Sequence, residues 1–289
     1  MYAPAIARLM KDGKRLHLQH GPSDLICEAW GTPEAVAAAY NEVSRFFETV
    51  LEGLVADLAT LRQPAPIVPV SIRSPISKRM IEAANLFSDY HYVTPMAGVA
   101  GAIADAVLRK ISAIKGIEKA YVNNGGDIAV YLKPDQEFKA AIVNNHDDPS
   151  WNGTVHIKAT DQIGGIATSG WQGRSFSSGI ADAVTVLASN AVLADVAATL
   201  IAGDVFVKSS AIKQTPVFEL DPDSDLGDRL VTTDVGELTD REINKALSEG
   251  EKTAKLFQSA GLIGGVYISL KGEVRQFSQQ RTIIRERVA

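Results

Sequence analysis

A chain of 289 residues with 46% apolar and 22% charged side chains has the composition of one globular unit, or of two closely packed lobes, with enough apolar mass for its own core. Its formal net charge of −5 leaves no surplus of Lys or Arg to neutralise phosphates, which argues against nucleic acid as a partner. No apolar run reaches the roughly 18 residues of a membrane-spanning helix; the longest are broken by Asp105 and Asp195, so membrane insertion is set aside.

The first residues, Met1-Tyr2-Ala3-Pro4-Ala5-Ile6, contain neither a basic stretch leading into a long apolar one nor a lipoprotein cysteine, and a cytoplasmic location is expected. Residues 6–10, 15–19 and 25–30 are short apolar or alternating runs separated by Asp12-Gly13 and Gly21-Pro22, the pattern of hairpin strands. The single cysteine, Cys27, falls in the third run. It rules out an internal disulfide and a cysteine-cluster metal site, and a buried strand residue is the expected role, a nucleophile the remote one.

From Thr32-Pro33 the period changes to three and four, through Val36, Tyr40, Val43, Phe47, Val50, Leu54, Leu58 and Leu61. One long amphipathic helix, capped by Thr32 and ended by Pro64 and Pro66, is expected. A shorter helix is expected over 77–87, and another opens at Thr94-Pro95. The latter carries Ala97, Gly98, Ala100, Gly101, Ala102 and Ala104, so one face is nearly bare. Either a neighbouring element or a nucleotide must lie close against it. Strands follow at 119–122, 128–132, 138–143, 154–159, 165–169 and 183–188, then a helix over 191–201 and a polar stretch containing Asp221-Pro222-Asp223. Thr239 with Glu242 forms a capping box for a helix to about residue 260, and 262–277 reads as a closing hairpin. Strands in consecutive hairpins with helices in blocks favour α+β with a mainly antiparallel sheet.

Three segments carry candidate chemistry. In Asn123-Asn124-Gly125-Gly126-Asp127 the glycines admit positive φ and close approach of a ligand, with Asn124 and Asp127 at the rim; a plain hairpin turn explains the same letters. Gly164-Gly165-Ile166-Ala167-Thr168-Ser169-Gly170 offers main-chain groups and hydroxyls to a phosphate, or is a tight glycine turn. Asp195 and Thr199 in Ala194-Asp195-Val196-Ala197-Ala198-Thr199 emerge one turn apart on one helix face, oxygen ligands of the kind Mg²⁺ prefers; a solvated Asp and a back-bonded Thr are the bland alternative. The histidines His17, His20, His91, His146 and His156 are scattered without ligand spacing.

In this order the segments resemble the ApbE-like superfamily, whose best-known members are FAD:protein FMN transferases. The likeness is close at residues 123–127, 165–170 and 194–199, weaker at 97–105 through Gly101 and Asp105, and covers roughly residues 94–205. It implies an ApbE-like, T-fold-related α+β domain over 1–289, as one body or as lobes 1–92 and 93–289. By the same resemblance Mg²⁺ would be held by the carbonyl of Ala167, the Asp195 carboxylate and the Thr199 hydroxyl. A flavin nucleotide, FAD, would lie against Gly101, Asp105, Asn124, Gly125, Gly126, Asp127, Thr168, Ser169 and Gly170. The implied activity is FMN transfer to an acceptor protein, or FAD pyrophosphate hydrolysis. A homodimer is a candidate assembly.

Two departures favour a divergent, uncharacterised branch. Ala100 stands where the family has a lysine, and the family's His-x-x-Asp-Pro-x-Thr-Gly segment is replaced by residues 171–182. Asp182 then becomes the candidate base and Arg174 the candidate phosphate contact, against a turn cap and a surface ion pair. A flavin-binding module or interaction scaffold without transferase activity is the alternative.

Overall fold

The computed structural model describes residues 3–68, 71–143, 151–173, 175–278 and 285–286. In chain order the elements are β1 (Ile6–Leu9), β2 (Leu16–His20), β3 (Ser23–Gly31), α1 (Pro33–Phe47), α2 (Val50–Leu61), α3 (Pro75–Phe87), α4 (Val99–Ser112), β4 (Ile117–Asn124), β5 (Asp127–Leu132), β6 (Glu137–Val143), β7 (Trp151–Lys158), β8 (Gly165–Ser169), β9 (Ala183–Ala188), α5 (Ala191–Asp204), β10 (Ile212–Pro216), α6 (Val217–Leu220), β11 (Leu230–Val235), α7 (Asp240–Ser259), β12 (Gly265–Leu270), β13 (Glu273–Ser278) and β14 (Arg285–Glu286). The fold is α+β, with a mostly antiparallel sheet. Two compact units divide the chain: Met1–Phe138 with Lys158–Ala167 and Ala188–Val196, and Lys139–Ile157 with Thr168–Leu187 and Ala197–Ala289.

In the first unit, β1 to β5 pair in sequence order, and the start of β8 joins β5 through Ile128↔Ile166. Period-two alternation sends Leu16 and Leu18 of β2, and Leu25, Cys27 and Ala29 of β3, to one buried face. Cys27 is fully buried, and burial pushes its thiol up, away from the thiolate. Helices α1 and α4 lie against the strands, α4 on β4 and β5. The Tyr40 hydroxyl accepts the Ala29 N–H at 3.2 Å and donates to the Lys14 carbonyl, tying α1 to β3 and to the β1–β2 connection.

The single long helix expected over 32–61 is broken in two. Thr49 donates its hydroxyl to the Phe46 carbonyl at 2.9 Å and its amide to the same oxygen at 3.2 Å, taking that acceptor out of the regular ladder. The chain turns there with Phe47 and Val50 both buried. Thr32 caps α1 as expected, its hydroxyl accepting the Ala35 N–H at 3.3 Å. For α3, Ser74 supplies the cap and Pro75 the first turn, so it starts two residues before the expected position.

The second unit contains β9, β12 and β13 as an antiparallel series with Val186↔Val266 and Ile268↔Arg275 in register. Helix α7 packs on β12 and β13. Its capping box is formed as expected: the Thr239 hydroxyl accepts the Glu242 amide at 3.3 Å, and the Glu242 carboxylate accepts the Thr239 amide at 2.9 Å. Strands β14, β7 and β6 form a separate sheet in that order, with β14 paired to β7. The β10–β11 hairpin, with α6 at its tip, lies in and beside the stretch read from sequence only as polar. Ile-Lys-Gln-Thr-Pro lacks apolar alternation, and a register shift at Lys213/Gln214 interrupts the pairing.

Candidate functional site

Strand β4 reverses into β5 through Gly125 and Gly126, at φ +68° and +116°, a conformation that excludes most side chains. The Asn123 side chain accepts the Gly126 N–H at 2.9 Å, closing the turn. Asn124, buried at the strand end, donates its amide to the Ala100 carbonyl at 3.1 Å. The hairpin is thereby tied to the first turn of α4. Asp127 is half-buried opposite Asn124.

The bare face of α4 meets α5. A Cβ on Gly98 would stand 2.8 Å from a Val196 methyl, and one on Gly101 would stand 2.3 Å from the Ala191 carbonyl oxygen. Each helix is capped by a carboxylate of the other. Asp105 of α4 accepts the amides of Ala191 and Val192, both at 3.0 Å. Asp195 of α5 accepts the Gly101 amide at 2.8 Å and also bonds the Ala100 amide. These contacts join the first two turns of α4, and Gly98 before it, to the first turns of α5. The orphan amides and positive dipole ends of both are satisfied by this exchange. Asn190, which the sequence reading passed over, completes it by accepting the Leu193 amide at 3.0 Å. The signal was present: Ser189-Asn190 directly before an apolar run is a helix start.

Deep placement among neighbouring atoms pushes the Asp195 carboxyl up to about 7, opposed by the Gly101 and Ala100 amides and reinforced by Asp105. The residue as a whole is half-buried. Burial also raises Asp105, against the Val192 and Ala191 amides and the Arg109 charge.

The segment 164–170 reaches the same place. The Gly164 amide donates to the Ala188 carbonyl at 3.0 Å, its carbonyl accepts from Val130 at 2.8 Å, and a Cβ on Gly165 would fall 2.2–2.3 Å from the backbone of Asn190 and Ala191. Ala167 follows, fully buried. The first unit thus brings Asn124, Gly101, Asp105, Asp195 and the start of β8 to the N-termini of α4 and α5.

In the second unit, the Thr168 and Thr185 hydroxyls are 2.8 Å apart, and Ser169 is half-buried. A Cβ on Gly170 would meet the Asp182 carbonyl oxygen at 2.4 Å. Thr199 lies four residues after Asp195 on α5, half-buried. Asp182 accepts the Lys271 amide, and burial raises its carboxyl, opposed by that bond. Arg174 lies outside the described residues, as does His146. Among the described residues no three His, Cys, Asp or Glu side chains form a metal-holding group, and no helix is long and apolar enough to cross a membrane.

The raised Asp182 has a consequence for stability. The native state holds its proton to higher pH than the unfolded chain, so this contribution is full below the ordinary carboxylate range and is lost as pH rises through the raised value. Asp182→Asn should flatten the fall in urea midpoint as pH rises above the ordinary carboxylate range; an unchanged slope would assign the fall elsewhere.

A family model described as AbpE bacteria matches residues 7–276. The chain is 38% identical over 149 residues to a UPF0280 protein of Methanothrix thermoacetophila, covering 51% of this chain and 59% of that one. It is 34% identical over 171 residues to a UPF0280 protein of Methanopyrus kandleri, covering 58% and 65%. Each match thus spans less than two thirds of the relative's own length. Among solved structures, similarity is found to the ApbE protein of Thermotoga maritima, at TM-score 0.47 and 12% identity over 96% of this chain and 97% of that one. The apo flavinyl transferase ApbE of Pseudomonas stutzeri gives TM-score 0.48 and 12% identity over 96% and 95%.

Proposed function

The chain belongs to the family described as AbpE bacteria, and from that membership we propose that it binds a flavin nucleotide, FAD, together with Mg²⁺ where the Gly125-Gly126 turn, the first turn of α4 and the N-terminus of α5 meet. The observation that supports this reading is the convergence itself. Asn124 bonds Ala100, Asp195 bonds Gly101, and Gly165 abuts Asn190 and Ala191, although these residues stand far apart in sequence. Core packing alone does not require a carboxylate at such a junction.

The donor chemistry suits a hard cation: the Asp195 carboxylate, to which the resemblance adds the Ala167 carbonyl and the Thr199 hydroxyl. Asp195 is raised toward its neutral form, and a nearby cation favours the charged one. With a single carboxylate in the set, the remaining ligands would be water and phosphate oxygens, so cation and nucleotide should bind together. When bound, the cation would neutralise pyrophosphate charge as a P–O bond breaks. Gly125, Gly126 and Asp127 would line the nucleotide, Thr168, Ser169 and Gly170 would lie near its phosphates, and Asp182 would accept a proton from the attacking hydroxyl or water. Arg174 would add positive charge to the phosphates.

Ala100 favours a second reading, binding without turnover. Where the superfamily carries a lysine, this chain offers only main-chain groups, and these are engaged with Asn124 and Asp195. One experiment separates the readings: calorimetric titration of FAD with Mg²⁺, followed by chromatography for AMP and FMN with and without acceptor peptides. Heat with products supports the enzyme, and heat without products supports the binding module. Neither heat nor products removes both.

A further inference from the structure

On the first unit, the end of α1, the start of α2, the entry to α3 and the second half of α4 enclose a groove of about 580 Å³, within the range of small-molecule sites. It lies outside the motif residues. Val50, Gly53, Ala56, Ile76 and Ala106 make an apolar floor in which small side chains keep the space open. Three cations, Arg73, Arg109 and Lys110, line it against one acid, Glu52.

The cations are not equivalent. Lys110 pairs with Glu42 at 3.3 Å and lies 5.0 Å from the centre of the Phe46 ring. Among the described residues neither Arg73 nor Arg109 makes an ion pair within 4.0 Å; they act on Asp57 and Asp105 only through space. The N-terminus of α3, which also borders the groove, has its own acceptors. Ser74 takes the Ile76 and Ser77 amides, and Asp57 takes those of Arg73 and Ser74. An anion here would therefore be held by guanidinium groups, which bind carboxylates and phosphates through parallel donors.

We propose that this groove is a second ligand site, taking a small amphipathic anion whose apolar body lies on the Val50, Ala56 and Ala106 floor while its carboxylate, sulfonate or phosphate group is held by Arg73 and Arg109. The lining suits such a molecule better than a second nucleotide: Phe46 is its one aromatic ring, and the Ser74 hydroxyl is already engaged with the α3 amides.

The test uses the full chain and 8-anilinonaphthalene-1-sulfonate as probe. Saturable fluorescence enhancement at one site per chain is expected. Arg73→Glu with Arg109→Glu should weaken it about tenfold or more, the loss of a charge-assisted contact, while binding of uncharged N-phenyl-1-naphthylamine holds. Both arginines are exposed, so the fold should persist, with only a small drop in unfolding temperature from the lost attraction to Asp57 and Asp105. Gly53→Leu, at a helical position whose added Cβ meets only the Ser74 side chain at 3.4–3.5 Å, should reduce binding of both probes. Displacement by dodecanoate would assign an acyl ligand, displacement by 2-naphthoate an aryl one, and either supports the site. Displacement by FAD, no saturable binding, or binding indifferent to all three substitutions would overturn it.

Discussion

Asp105→Ala is expected to lower the stability of the protein by about 2–3 kcal/mol, measured by urea unfolding near pH 7. The carboxylate accepts two amides at the first turn of α5, in a place where water does not easily replace it: Asp105 is 9% exposed. Each donor left without a partner costs about 1–3 kcal/mol, and loss of a helix cap alone about 1. Relief from holding a desolvated carboxylate offsets part of this, which sets the estimate at the lower end of the sum. Asp105→Asn keeps one acceptor oxygen and turns an NH₂ group toward the other amide, so it should recover little. A loss below about 0.5 kcal/mol in both variants would mean that the α4–α5 exchange contributes nothing to the fold.

Gly101→Ala should be costlier, at about 3 kcal/mol or more. The added methyl would sit 2.3 Å from the Ala191 oxygen, 2.6 Å from its carbon and 2.8 Å from the Val192 nitrogen. These are backbone atoms of the two residues whose amides Asp105 accepts, so relief requires the helices to separate and weakens the caps with them. The intrinsic preference of a helix for alanine over glycine, about 1 kcal/mol, works the other way and is outweighed. Gly53→Ala in α2 makes a matched control, because its Cβ would meet only the Ser74 side chain at 3.4–3.5 Å. Stabilisation of up to about 1 kcal/mol is expected there. The same substitution in two helices should thus give opposite signs, read as opposite shifts in Tm.

Much of the local structure could be read from residues a few positions apart. Thr32-Pro33, Thr239 with Glu242 and the Gly125-Gly126 turn form the caps and the hairpin that their letters predict. Physical chemistry acting over three or four residues leaves a mark in sequence. The break at Phe47–Val50 left none, because the apolar spacing runs on through it; a hydroxyl bonded to one carbonyl decides the matter. The β10–β11 hairpin was missed because its strands lack alternation.

The candidate site divides along the same line. Its letters stood out because glycine pairs and a carboxylate among small residues fit poorly as core. Their partners did not: nothing near Asp105 announces that it meets Ala191, 86 positions on, or that Asp195 meets Gly101, 94 positions back. The bare face of α4 admitted either a neighbouring element or a ligand. It packs against α5, and the same junction holds Asp195 half-buried.

That junction also sets an order on synthesis. Most of the first unit emerges from the ribosome as a continuous stretch ending at Phe138, but the unit takes its last strip from Ala188–Val196. Until that strip is made, the amides of Ala100 and Gly101 lack their carboxylate, and Asp105 has no helix end to cap. A nascent chain from which residues 188–196 have not yet emerged should therefore keep α4 frayed at its start, however complete the strands beneath it, and their emergence should close it. The last piece of the first unit to be synthesised is then also the piece that fastens the helix in front of it.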